Sequence, residues 1–159
     1  MSADFIIQRA LADDAQQVAV MVGELLAEIM NATGVQVFHF DLVETTSRLK
    51  EYLNRERYFV FVARGGSTNP AGFIALYESY ALYANGTFGT IPEFYVRPEH
   101  RSKGLGLRLV SQAKSFGASR GWTRLEVTTP PLPQFDRSLA FYKREGFARS
   151  GGLKLKVAL

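Results

Sequence analysis

The chain contains no cysteine. Disulfides and thiolate metal sites are therefore excluded, and a reducing, cytoplasmic setting is expected. Only two histidines occur, His39 and His100, far apart and without ligand spacing around them, so no metal site is expected. No apolar run approaches the roughly 18–20 residues needed to span a bilayer. The opening stretch MSADFIIQRALADDAQ lacks the basic-then-apolar order of a signal peptide. No membrane partner is expected. Two phosphate-binding patterns are missing as well: no G-K-[ST] follows a glycine loop at the right gap, and no third glycine completes a dinucleotide fingerprint. No serine-histidine-acid arrangement, internal repeat or linker stands out.

What remains fits one domain over residues 1–159. Apolar residues make up 47% of the chain, enough for a core, and 21% charged is ordinary for a soluble protein. The formal charge of +4 favours an anionic ligand. Lys and Arg are scattered along the chain, which argues against nucleic acid as the partner.

The patterning predicts a mixed α/β fold with a largely antiparallel central sheet flanked by helices. DFIIQRA reads as an opening strand. Asp13 and Asp14 suit a helix start, Val18, Met21, Val22, Leu25 and Ile29 follow at helical spacing, and Gly34 is the stop. Asp41 and Glu44 form a capping-box pattern for a second helix to about Asn54. Residues 58–63 and 71–83 read as strands, and Asn85-Gly86 is a hairpin signal. Residues 87–96 return antiparallel, with a break in pairing expected at Pro92. A helix follows over 103–119, then a strand over 122–129 and the stiff loop PPLPQ. A last helix is expected behind an Asp136 cap and ended by Gly146, and the alternating LKLKVAL reads as a final strand.

The stretch VRPEHRSKGLGLRLV joins a strand to a helix. The first N–H groups of a helix lack helical partners and meet the positive end of its dipole, so such a junction suits phosphate. Gly104 and Gly106 permit close backbone approach, and Arg101 and Lys103 offer charge-assisted bonds. The same residues also fit a tight turn with solvated basic groups.

PEFYVRPEHRSKGLGLRLV resembles the acetyl-CoA signature of the GCN5-related N-acetyltransferase (GNAT) superfamily, through Val96, Pro98, Arg101, Gly104 and Gly106. A second block, SLAFYKREGF, resembles that superfamily's late helix. The resemblance implies acetyl-CoA as cosubstrate and N-acetylation of a primary amine, on a small molecule or on a peptide. It places the pyrophosphate on the backbone from Ser102 through Lys103, Gly104, Leu105 and Gly106 to Leu107, with Arg101 nearby. It sets the pantetheine arm beside Phe94, Tyr95 and Val96. Tyr142 matches the tyrosine near the cofactor sulfur, a general acid, although Phe141 and Tyr142 also read as core aromatics. Glu93, three residues before Val96, is the candidate base or an exposed strand carboxylate.

Two departures qualify the resemblance. Residues 75–96 are spaced like the matching stretch of the diamine and polyamine acetyltransferases, but Pro92-Glu93 replaces their acidic pair. Phe135 stands where many relatives carry a pantetheine-contacting asparagine, and Gln134, Asp136 or Ser138 are the substitutes at hand. A non-catalytic acyl-CoA-binding or partner-binding module is the rival reading. Glu78, Tyr80 and Tyr83 line a pocket or pack in the core, and Trp122 reads as packing. His100 reads as a solvated loop residue. Analogy within the fold also implies a homodimer.

Overall fold

The computed structural model describes residues 5–66 and 69–159. The start of the opening strand and part of the segment between the strands expected over 58–63 and 71–83 lie outside those residues. Strand β1 (Ile6–Arg9) is followed by helices α1 (Ala15–Thr33) and α2 (Leu42–Asn54). Strands β2 (Phe59–Arg64), β3 (Pro70–Ala81), β4 (Gly86–Ile91) and β5 (Phe94–Val96) then run in succession. Helix α3 (Leu105–Ser119), strand β6 (Leu125–Val127) and helix α4 (Asp136–Arg144) complete the order.

The sheet runs β1-β2-β3-β4-β6, and β5 also pairs with β3. All pairings are antiparallel except β4 with β6. Both faces of β2 are covered, which explains its unbroken apolar run. Phe59 and Phe61 pack with Ile74, Leu76, Leu105, Leu109 and Trp122 on the α3 side. Val60 and Val62 pack with Val18, Met21, Leu49 and Phe73 on the other side. Each such large buried side chain stabilises the fold by about 1.5–3 kcal/mol.

Several local signals are realised. Gly34 ends α1 in a left-handed conformation (φ 73°). The Asp41 carboxylate accepts the Glu44 N–H at 2.9 Å and caps α2. The return after Asn85 breaks at Pro92 into β4 and β5.

Others are corrected. Residues 153–159 pair with no strand and have no regular structure, so the final strand expected from LKLKVAL is absent from this sheet. Asp136 is the first residue of α4 and not its cap: Phe135 occupies the cap position without a side-chain hydrogen bond. The strand expected over 122–129 shrinks to Leu125–Val127, paired with Gly89, Thr90 and Ile91; β4 ends at Ile91, so residues beyond Val127 find no further partner on it. Tyr80 and Tyr83 are exposed and not core. His100 is half-buried, its ring set edge-on to Phe5 at 5.4 Å, and its Nδ1 is buried without a hydrogen-bond partner.

Candidate active site

The site begins with a failure of pairing. β4 and β5 form one run of chain interrupted at Pro92-Glu93, and β6 follows only its first half. Beyond Ile91 the run leaves β6 and bonds to β3 alone, with Phe73 opposite Tyr95. Glu93 O accepts from Ala75 N at 2.9 Å, and Arg97 N donates to Ala71 O at 2.8 Å. Backbone groups alternate in direction along a strand. Glu93, Tyr95 and Arg97 therefore bond toward β3, while Phe94 and Val96 aim theirs at the open side. The Val96 carbonyl is met there by Arg101 Nε at 2.7 Å.

The open edge leads directly into a loop rich in free donors. Ser102 (φ 62°) and Gly104 (φ 79°) are both left-handed and swing the chain into α3. A Cβ at Gly104 would meet nothing within 4 Å, so its requirement is conformational and the space over the turn is open. Arg108 is the first to reach back, to Gly104 O at 3.2 Å. Among the described residues, the N–H groups from Ser102 to Leu107 have no backbone carbonyl, and no side chain caps the helix. Successive amides in such a turn create an anion-binding concavity. Lys103 is exposed beside it. Arg101 is turned back: its Nη2 donates to Glu28 at 2.7 Å, and its guanidinium lies 5.6 Å from the Tyr95 ring centre.

Helix α4 closes the other side. The Phe94 ring lies 5.8 Å from Phe141 and 6.2 Å from Tyr142. A Cβ at Gly106 would touch Phe94 at 3.4 Å and Phe141 at 3.5 Å, so the mouth of α3, β5 and α4 converge there. Tyr142 is buried, and burial pushes its phenol far above the usual range, so it stays protonated. Among the described residues no group hydrogen-bonds its hydroxyl. Leu105 is a buried anchor, Leu107 is exposed, and Ser138 is half-buried in the first turn of α4.

On the opposite face lies an aromatic cleft. Residue parity puts Glu93 on the α1–α2 side with Tyr95. Burial raises its carboxyl from the ordinary 4.5 to about 7, although a hydrogen bond from Tyr58 opposes that rise. Tyr58 stacks on Tyr77 at 6.1 Å and tilts against Tyr52 at 5.2 Å. A cleft of about 480 Å³ is lined by these three tyrosines with Glu56, Arg57, Glu78 and Tyr80. The Glu78 carboxylate accepts from Tyr80 Oη at 2.6 Å and Trp122 Nε1 at 2.7 Å, which lowers its pKa. Tyr83 does not line this cleft.

Comparisons with known proteins identify the family and the fold. The model described as "Acetyltransferase (GNAT) family" matches residues 24–147. The chain belongs to the GNAT acetyltransferase family. A streptothricin acetyltransferase of Streptomyces lavendulae is 38% identical over 95 residues. That match covers 57% of this GNAT chain and 45% of the relative, so the chain spans about half the relative's length. A GCN5-related N-acetyltransferase from Ralstonia eutropha shares the fold with a TM-score of 0.75 at 19% identity, covering 97% of this chain and 99% of that one. An aminoglycoside N-acetyltransferase in complex with CoA gives 0.79 at 13% identity, covering 99% and 97%. At these identities the two structures speak for the fold alone.

Three residues of this GNAT domain escaped sequence reasoning. Glu24 accepts from Arg97 Nε at 3.1 Å, Arg97 Nη2 at 2.9 Å and Tyr95 Oη at 3.2 Å. Glu28, one turn on, holds Arg101. The signal available was two carboxylates at i and i+4 beside the apolar stripe of α1. Tyr58 carried no signal, because only the register of β2 and β3 brings it to Glu93.

Proposed function

We propose that this GNAT domain is an acetyl-CoA-dependent N-acetyltransferase acting on a small cationic primary amine. The carrying observation is the parting of β5 from β6, which leaves backbone donors open beside the unpaired amides at the mouth of α3. The residues fit the cosubstrate. The amides of Ser102 to Leu107 would hold the diphosphate, with Lys103 adding charge. The outward groups of Phe94 and Val96 would pair with the amide-bearing pantetheine arm as a neighbouring strand would.

Acetyl-CoA supplies an acetyl group already activated as a thioester. The chain's own residues then do little bond chemistry. A backbone N–H near Val96 not taken up by the pantetheine arm would polarise the acetyl carbonyl. Glu93, ionised above about pH 7, takes the proton the amine must lose, directly or through water. The Tyr142 hydroxyl, protonated at every working pH, gives a proton to the departing sulfur. Positioning supplies much of the remaining acceleration. Tyr52, Tyr58 and Tyr77 with Glu56 and Glu78 offer rings and carboxylates to a cationic acceptor. The streptothricin acetyltransferase relative favours the same class.

The test is thiol release from acetyl-CoA across an amine panel that includes streptothricin and aminoglycosides, with calorimetric titration of CoA alongside. Tight CoA binding and turnover of a cationic amine are expected. CoA binding without turnover of any amine would favour the non-catalytic module, and no binding at about millimolar CoA, a very weak affinity, would sink both.

A further inference from the structure

The aromatic cleft stops short of the candidate base. Among the described residues, Tyr58 lines the cleft of about 480 Å³ and Glu93 does not. One side chain bridges the two: the Tyr58 hydroxyl donates a hydrogen bond to the Glu93 carboxyl.

The sheet brings them together. Val60 stands opposite Ala75, and Ala75 N donates to Glu93 O at 2.9 Å, so these three residues form one row across β2, β3 and the approach to β5. Ala75 puts only a methyl group in the middle of that row. Tyr58 and Tyr77 lie two residues further along on the same face. With so small a side chain between them, the Tyr58 phenol reaches across β3 to the carboxyl. Two rings hold it in that direction, Tyr77 stacked at 6.1 Å and Tyr52 tilted at 5.2 Å.

We propose that Tyr58 is the relay through which the acceptor's proton reaches Glu93, a role that rests on the transferase reading above. The acceptor's ammonium, held in the cleft, gives a proton to Tyr58 Oη as Tyr58 gives its own to the Glu93 carboxylate. One N–H bond breaks at the acceptor. At Tyr58 one O–H bond forms and another breaks, and one O–H bond forms at Glu93. The result is a neutral amine, an unchanged phenol and a neutral carboxyl. The two transfers are concerted. Burial and the neighbouring Glu93 charge hold the phenol far above its ordinary range, and the facing phenols of Tyr77 and Tyr52 add to this, so no free tyrosinate forms. Glu56, Arg57, Glu78 and Tyr80 line the rest of the cleft. Glu93 returns its proton to water along the same bond before the next turnover.

The test compares Tyr58→Phe, Glu93→Gln and the double variant with the natural chain by thiol release. Tyr58→Phe keeps the ring and its stacking and removes only the relay oxygen. Its kcat should fall by about 10²-fold, with the KM for the amine and the affinity for CoA within about twofold of the natural values. Groups acting in series fail together, so the double variant should be slower than Glu93→Gln by no more than about threefold. A second readout needs no acceptor: carbon-13 NMR titration of the Glu93 carboxyl. Removing the Tyr58 donor should move that titration upward from about 7. Losses that multiply in the double variant, an unchanged kcat in Tyr58→Phe, or a Glu93 titration that stays in place would each overturn the relay and leave the transferase reading intact. A natural chain that turns over no amine, with the titration shifted as expected, would overturn the transferase reading and the relay with it, and reduce the Tyr58–Glu93 pair to a structural contact.

Discussion

Glu93 couples the stability of this protein to the ionisation its chemistry would need. Burial moves its carboxyl from 4.5 to about 7. Each tenfold displacement of an ionisation equilibrium corresponds to about 1.4 kcal/mol. The folded state is therefore penalised by about 3 kcal/mol once Glu93 is charged. The sign follows from proton binding. The native carboxyl holds its proton more tightly than the unfolded one, so stability is intact below pH 4.5 and declines as pH rises toward 7. Above that the loss is complete and constant.

Replacing Glu93 with glutamine keeps the shape and the capacity to accept from Tyr58 but removes the charge. At pH 8.5 the variant should be more stable by about 2 kcal/mol, discounted for the uncharged amide's own burial. For a chain of this size that is a rise of about 4–8 °C in the melting midpoint. At pH 4.5 the two melting curves should nearly coincide. Amine acetylation should fall by about 10²–10⁴-fold, and the acid limb of its pH profile near 7 should vanish. Thermal melts by circular dichroism at the two pH values supply the decisive comparison. An equal difference at both, or a less stable glutamine variant at pH 8.5, would show that the carboxylate is not paying for burial.

Three further outcomes are expected. Lys103→Glu should weaken CoA binding on the order of fivefold at low salt and much less at ~1 M, where charges are screened within about 3 Å; calorimetry at both salts decides it. Tyr142→Phe should bind CoA as before but lose on the order of 10² in kcat, measured by thiol release, and an unchanged kcat would return Tyr142 to the core. Gly89→Ala would drive a Cβ into the Trp122 ring and to 2.7 Å from Leu125, so urea melts should show a loss of about 1–3 kcal/mol.

Signals that act over a few residues were legible in the sequence. Gly34, the Asp41 cap and the break at Pro92 depend on local backbone chemistry, and each stands where the sequence put it. The convergence of Phe94, Gly106 and Phe141 also follows a pattern readable as two blocks. What failed needed a partner elsewhere. Alternation in LKLKVAL states what the segment would do beside a strand and cannot state whether its own chain offers one. The direction of Arg101 was equally hidden, because Glu28 lies far back along the chain. Tyr80 and Tyr83 share the composition of a core strand yet extend past the covering helices into solvent.

The open edge of β5 raises a physical question that the acidic pair on α1 answers. A strand with one neighbour should close onto β6, since outward amides at Phe94 and Val96 are costly when unpaired. It is held apart from behind. Arg97 donates twice to Glu24 and, through Nη1, to Pro70 O at 2.9 Å, tying the end of β5 to α1 and to the start of β3. Arg101, bonded to Val96 O and Glu28, fixes the next turn to the same helix. The Arg97 side chain is only 16% exposed while Glu24 is 37% exposed, so removing the carboxylate would leave the guanidinium in a poorly hydrated place without its charged partner. Helix α1 thus anchors the end of β5 and the turn that follows it through Arg97 and Arg101. Residues remote from the proposed chemistry hold β5 in the position from which, on the proposed reading, an incoming chain of amides and not β6 would satisfy its outward donors.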